Sequence, residues 1–153
     1  CLLAMQDVFK RRRIKNVLDM GTGSGILAMA AVRLNPAAKV LAIDIDPIAV
    51  RVAKDNLRMN QVQEQVTAKA GAGYRLPVVK AQAPYDLVVA NILARPLIQY
   101  APALARVLKP NGVAILSGLL ASQERRVLQA HSLQGLRLKQ RYAIQGWHTL
   151  VLV

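Results

Sequence analysis

The sequence predicts a doubly wound α/β fold, a mostly parallel seven-stranded sheet with helices on both faces and an antiparallel C-terminal hairpin. Three observations lead to it. Short apolar runs alternate with helix-like segments from Asn16 to Leu133. The first of these runs ends in a glycine cluster. The last two apolar runs are joined by too few residues for a crossover, so they must pair antiparallel.

The elements follow in order. After a short opening helix, Asn16 to Met20 reads as a buried strand, since Val17 and Leu18 are apolar and glycines end it. Gly25 to Leu34 reads as a helix. Lys39 to Asp46 is the second strand, and its Val40 to Ile43 core lacks polar alternation, as in parallel strands covered on both faces. Pro47 opens a helix to about Met59, with Ile48, Val52 and Leu57 as its apolar positions. Val66 to Ala70 is a third, short strand, and the two glycines and two prolines of Gly71 to Pro84 read as loop.

Tyr85 to Ile92 is a strong fourth strand, and an apolar-striped helix from Pro96 to Leu108 ends at the Lys109-Pro110-Asn111-Gly112 turn. Val113 to Ser117 is the fifth strand. Ser122 to Leu133 makes a helix with Ser122 as its N-cap. Leu136 to Ile144 and His148 to Val153 form the terminal strand pair around Gln145-Gly146-Trp147.

Composition bounds the rest. The 153 residues, 54% hydrophobic, are the size of one domain with a real core. Apolar runs such as Ile26 to Val32 fall far short of the roughly 20 residues of a membrane span. Cys1 is the only cysteine, so no internal disulfide can form, and a reducing cytoplasm is expected. The start at Cys1, without methionine, leads us to expect a fragment of a longer protein, monomeric in itself. Twenty-one Lys and Arg against eight Asp and Glu leave a formal charge of +13, suited to RNA or ribosomal surroundings. Only Arg11, Arg12, Arg13 and Lys15 form a dense run, so solubility is the preferred reading of the charge.

The chemistry concentrates after the first strand. Asp19-Met20-Gly21-Thr22-Gly23-Ser24-Gly25 places glycines where a cofactor approaches backbone and a helix N-terminus. A dinucleotide fingerprint starting at Gly21 and Gly23 would need its third glycine at position 26, which is Ile26. Asp19 would repel a pyrophosphate and attract an ammonium and a sulfonium, the two cations of S-adenosylmethionine. Asp44, 19 residues after Gly25, ends the second strand where a carboxylate accepts from ribose hydroxyls. Asp46, just before Pro47, reads better as a helix N-cap than as a cofactor contact.

Asn91 ends the fourth strand at the sheet edge where ligands bind. Two readings stand equal: its amide orients a substrate nitrogen, or it satisfies the backbone of Arg95 or Leu97. His131, His148 and Cys1 lack companions at metal-ligand spacing, so no metal is assigned. Trp147 and Tyr142 are assigned to packing at the hairpin.

Val17 to Ala28 resembles the glycine motif of the ribosomal protein L11 methyltransferases. So, in order, do Asp44-Ile45-Asp46-Pro47, Ala90-Asn91-Ile92-Leu93-Ala94, Leu108 to Gly112, Leu116 to Ala121 and Gly146 to Leu152. The resemblance spans essentially the whole chain. It implies the class I, Rossmann-like methyltransferase fold and methylation of lysine or N-terminal amines on a large-subunit ribosomal protein. It also implies that Gly21 and Asp44 bind S-adenosylmethionine, with Asn91 in the cofactor and acceptor pocket; Gly23 and Asp19 are assigned from the residues themselves. Family members carry a threonine pair and a small substrate-recognition domain upstream of the Cys-Leu that opens this chain. Many amino methyltransferases have Pro-Pro-aromatic where this chain has Ile92-Leu93-Ala94. Alternatives are an RNA acceptor, or a nucleoside-binding, ribosome-associated module without activity.

Overall fold

The computed structural model describes all 153 residues. In chain order it contains α1 (Leu2–Arg11), β1 (Asn16–Met20), α2 (Ile26–Leu34), β2 (Lys39–Asp44), α3 (Pro47–Met59) and β3 (Val66–Ala70). A 3-10 turn (Gly73–Arg75) and α4 (Pro77–Gln82) lead into β4 (Tyr85–Asn91), α5 (Ala94–Val107), β5 (Leu108–Leu120), α6 (Ala121–Ser132), β6 (Leu138–Ile144) and β7 (Trp147–Leu152). The strands form one sheet in the order β3-β2-β1-β4-β5-β7-β6. The pairs among β1 to β5 are parallel, and β7 runs antiparallel to both its neighbours. The predicted fold class, seven strands and closing hairpin included, is the fold observed.

Each central strand feeds two cores, which explains its unbroken apolar run. Val17, Val40, Ala42, Leu87, Val89, Val113 and Ile115 face one core with α1, α2 and α3. Their neighbours Leu18, Leu41, Ile43, Val88, Ala90, Ala114 and Leu116 face the other with α4, α5 and α6. Successive strand side chains point to opposite faces, so a strand buried on both sides needs apolar residues at every position.

Several boundaries differ from the sequence reading. Residues 71–84 are not all loop: Pro77 starts α4, and Tyr85 fastens it by donating from its hydroxyl to the Val79 carbonyl at 2.9 Å. On α3, Val50, Ala53 and Leu57 are buried while Ile48 and Val52 are exposed, because the helix carries two apolar faces and only one meets the sheet. Helix α5 begins at Ala94, before Pro96. The turn at Lys109–Gly112 lies inside β5 as a bulge: Leu108 pairs with Tyr85 and Val113 with Leu87, and Asn111 takes φ +61°. Ser122 does not cap α6; Leu120 is the cap residue, and its amide donates to the Gln123 side chain at 2.9 Å. Gln145 and Gly146, at φ +49° and +81°, form the two-residue turn of the hairpin, and Trp147 belongs to β7.

Candidate active site

Strand order reverses between β1 and β4, and ligand clefts in such sheets form beyond the carboxyl ends of the strands at that point. Two clefts lie there. The first, about 310 Å³, is lined by Met20, Gly21, Asp44, Gly71, Ile92 and Tyr100 among others. The second, about 510 Å³, is lined by Asn91, Ile92, Leu93, Ser117, Gly118 and Trp147. Ile92 and Leu93 belong to both walls and separate the two.

The loop after β1 is built by its glycines. Gly21 has φ +75°, and a Cβ there would sit 2.2 Å from Ile92 Cγ2, so glycine lets the β4 end cross close over the loop. The Gly21 and Thr22 amides donate to the Ile43 carbonyl at 2.7 and 3.0 Å, pinning the loop to β2. Gly23, φ +53°, faces open space, and its amide donates to Asp44 Oδ2 at 2.8 Å.

Asp44 lines the first cleft and is half-buried. Its Oδ1 accepts from the Asp46 amide at 3.0 Å. Each carboxylate oxygen therefore keeps a lone pair for a ligand hydroxyl. Asp46 does what its position before Pro47 predicts, accepting from the Ile48 amide at 2.8 Å as the N-cap of α3.

Asp19 departs from the expected contact. It is sealed beneath the loop at 1% exposure and is absent from the lining of either cleft. Its Oδ2 accepts from the Thr22 hydroxyl at 2.6 Å and the Ala28 amide at 3.1 Å, while Oδ1 has no partner. Burial pushes the carboxyl up to about 6, against the opposing hydrogen bonds from Thr22 and Ala28. In this geometry Asp19 holds the loop onto the start of α2 and faces no ligand directly.

Asn91 is exposed at the end of β4 and lines the second cleft only. Its amide makes no hydrogen bond within the protein, and the Leu97 amide instead donates to the Leu93 carbonyl at 3.3 Å. The turn-satisfying alternative is thus not the one adopted. Gly118, φ +82°, brings β5 close to this residue: a Cβ would lie 2.6 Å from the Ile92 carbonyl oxygen and 3.1 Å from Asn91 Oδ1.

Sequence reasoning missed several lining groups. Gly71 and Gly73 close the far side of the first cleft, and the bare Cα of Gly73 leaves room for the Tyr100 ring, 2.9 Å from where a Cβ would stand. Two glycines immediately after β3 were the available signal, parallel to those after β1. Trp147, assigned to packing, is 53% exposed on the rim of the second cleft. The residue after it is not a lone histidine: His148 Nδ1 meets Glu124, which also takes a bidentate pair from Arg141. Burial alone would raise the Glu124 carboxyl, but the Arg141 and His148 hydrogen bonds hold it below its ordinary range. This cluster ties the hairpin to α6 and so places Trp147.

The family model of the ribosomal protein L11 methyltransferases (PrmA) matches residues 1–153. The ribosomal protein L11 methyltransferase of Agrobacterium fabrum is 48% identical over 132 residues, 86% of this chain and 45% of the relative. That of Chelativorans sp. is 47% identical over 150 residues, 98% of this chain and 51% of the relative. The chain spans about half the length of the curated relatives it matches. The crystal structure of ribosomal protein L11 methylase from Lactobacillus delbrueckii subsp. bulgaricus superposes with a TM-score of 0.85 at 28% identity, covering 99% of this chain and 77% of that one. A precorrin-6y C5,15-methyltransferase from Geobacter metallireducens, at 15% identity and TM-score 0.81 over 99% of this chain and 85% of that one, shares the fold alone. With every motif from the glycine loop to the terminal strand covered by the match, the chain belongs to the ribosomal protein L11 methyltransferase family.

Proposed function

We propose that this chain is the catalytic domain of a longer, cytoplasmic protein that binds S-adenosylmethionine and methylates amines of ribosomal protein L11. The rest of that protein holds the substrate-recognition part, a division supported by the half-length match to the relatives. Each chain carries both clefts whole, which supports a monomeric catalytic unit.

One observation carries the cofactor assignment: the first cleft sets the Asp44 carboxylate among glycines and apolar side chains, a lining whose only charge is negative. The residues fit a cationic nucleoside. Asp44 offers lone pairs to the ribose hydroxyls, Gly21 admits the ligand to the backbone, the Gly23 amide braces the Asp44 carboxylate, and Ile45, Pro96 and Tyr100 supply apolar walls for a base. When bound, the cofactor supplies an electrophilic methyl group on a sulfonium.

In the second cleft Asn91 is the candidate catalytic residue. Its Oδ1, unused within the protein, is placed to accept an amine N–H and so to orient the acceptor nitrogen. Positioning supplies most of the acceleration in such an in-line transfer. The second cleft is lined by no titratable side chain, so the amine sheds its proton to water through the open mouth. A lysine acceptor, with an ordinary pKa of about 10.4, is then methylated faster as pH rises.

Calorimetry with S-adenosylmethionine and with NAD tests the cofactor, and tighter binding of NAD refutes it. Intact-mass measurement of ribosomal protein L11 incubated with cofactor and the full-length enzyme tests the reaction. Mass gains in whole methyl groups are expected, and an unchanged mass refutes the acceptor.

A further inference from the structure

A row of cations closes the end of the sheet opposite the two clefts. Lys15 precedes β1, and its carbonyl accepts from the amide of Lys39, which opens β2, at 2.7 Å. Asp86, at the start of β4, accepts from the Lys15 amide at 2.9 Å and from Lys109 Nζ at 2.6 Å. Arg12 donates to the Asn111 carbonyl in the β5 bulge at 2.5 Å. Arg137, before β6, exchanges backbone hydrogen bonds of 2.7 and 2.9 Å with Val153. Arg12, Lys109, Leu136 and Val153 border an open cleft of about 560 Å³ between these elements. The tertiary structure thus aligns with the dense run at Arg11–Arg13 three cations that are far from it in sequence.

The acids are elsewhere. Asp19, Asp44 and Asp46 sit at the opposite end, and Asp7, Asp55 and Glu124 are bonded to Tyr142, Arg58 and Arg141. Near the row lie only Asp86, already taken by Lys109 and two amides, and Glu64 beside the start of β3. Arg13, Lys15, Lys39 and Arg137 are exposed, and their side chains make no hydrogen bond or ion pair.

We propose that this rim binds the phosphate backbone of RNA. From β2 to β6 it spans roughly 24 Å, five steps of about 4.8 Å, so its charges recur at intervals that suit a repeating polyanion. Arginine forks there take phosphate oxygens in pairs. RNA seated on the rim leaves the clefts open. The proposal stands independently of the reaction assigned to them, because its test needs no cofactor.

Fluorescence anisotropy of a labelled RNA hairpin, titrated with the chain over a range of salt, reads the binding. Replacing Arg13, Lys15, Lys39 and Arg137 together by glutamine is expected to lower the slope of log K against log salt by about 3, near one per lost phosphate contact. Affinity at about 0.1 M salt should fall roughly tenfold or more. A control replacing Arg51, Lys54, Arg125 and Arg126, exposed cations on α3 and α6, changes net charge equally and should keep the slope within about 1. Equal losses in both variants, no RNA binding at low salt, or tighter capture by phosphatidylserine vesicles overturns the proposal. Hydrogen exchange on the unaltered chain gives a second reading: RNA should protect residues 12–15 and 109–112, and protection confined to the cleft end overturns it as well.

Discussion

Replacing Gly21 by alanine tests the packing that joins the two clefts. The residue sits at φ +75°, where a side chain costs about 1–2 kcal/mol. The added Cβ would lie 2.2 Å from Ile92 Cγ2, while carbon atoms rest at about 3.5 Å or more, so the methyl must retreat by roughly 1.3 Å. Ile92 is β-branched and stiff, so the shift moves the end of β4, an overpacking cost of about 1–3 kcal/mol. The reduced freedom of the unfolded chain returns about 0.4–1 kcal/mol. The net loss is about 3 kcal/mol, roughly 9 °C in melting temperature for a domain of this size. Urea unfolding gives the number, and a double-mutant cycle gives its origin. In an Ile92→Ala background the contact is gone and Gly21→Ala should cost only about 1 kcal/mol. Equal costs in both backgrounds, within about 0.5 kcal/mol, would refute the crossing of Ile92 over Gly21 as the cause.

Asp44→Ala should weaken S-adenosylmethionine binding by about 1–3 kcal/mol, measured by calorimetry, through lost ribose hydrogen bonds; an unchanged Kd removes the ribose assignment. Asn91→Ala should lower kcat of the full-length enzyme well beyond any change in cofactor affinity. Equal losses would make it a cofactor contact instead. The Asp19 carboxyl is raised in the folded chain to about 6, so its protonated form favours folding below pH 4 and that stability is lost as pH rises through about 6. Relative to Asp19→Asn, the chain should lose on the order of 3 kcal/mol between pH 4 and 7.5 in urea titrations, and a flat difference contradicts the burial. Glu124→Gln should loosen the hairpin from α6, shifting the emission of Trp147, the single tryptophan, with a stability loss of about 1–2 kcal/mol. Unaltered emission would detach Trp147 from the cluster.

Much of the fold was legible because its signals are local. Pro47 and Asp46 start α3 where expected, since a cap needs only neighbouring atoms. The buried strands announce themselves by apolar runs. Elements set by distant partners were harder to read. Ile48 and Val52 follow helical spacing as well as Val50 and Leu57 do, and only the sheet decides which face is covered. Helix α4 was hidden by the prolines and glycines around it, yet Val79 packs fully buried and accepts the Tyr85 hydroxyl. At the site, Gly21 and Asp44 line the first cleft, while Gly23 lies outside its lining and meets Asp44 through its amide. Asp19 was placed on the right strand but on the wrong side of the loop, because spacing does not say that Thr22 and Ala28 fold over it.

By itself the sequence determined the alternation of strands and helices, the glycine turn after β1, the acid ending β2 and the antiparallel close, because each depends on residue type and short-range geometry. Tertiary structure decided which faces meet, that Ile92 and Leu93 divide two clefts, that Glu124 gathers Arg141 and His148, and that scattered cations share one rim. Those outcomes depend on strand order, β3-β2-β1-β4-β5-β7-β6, which brings together residues far apart in the chain. No local pattern encodes that adjacency; the burial of both sheet faces selects it.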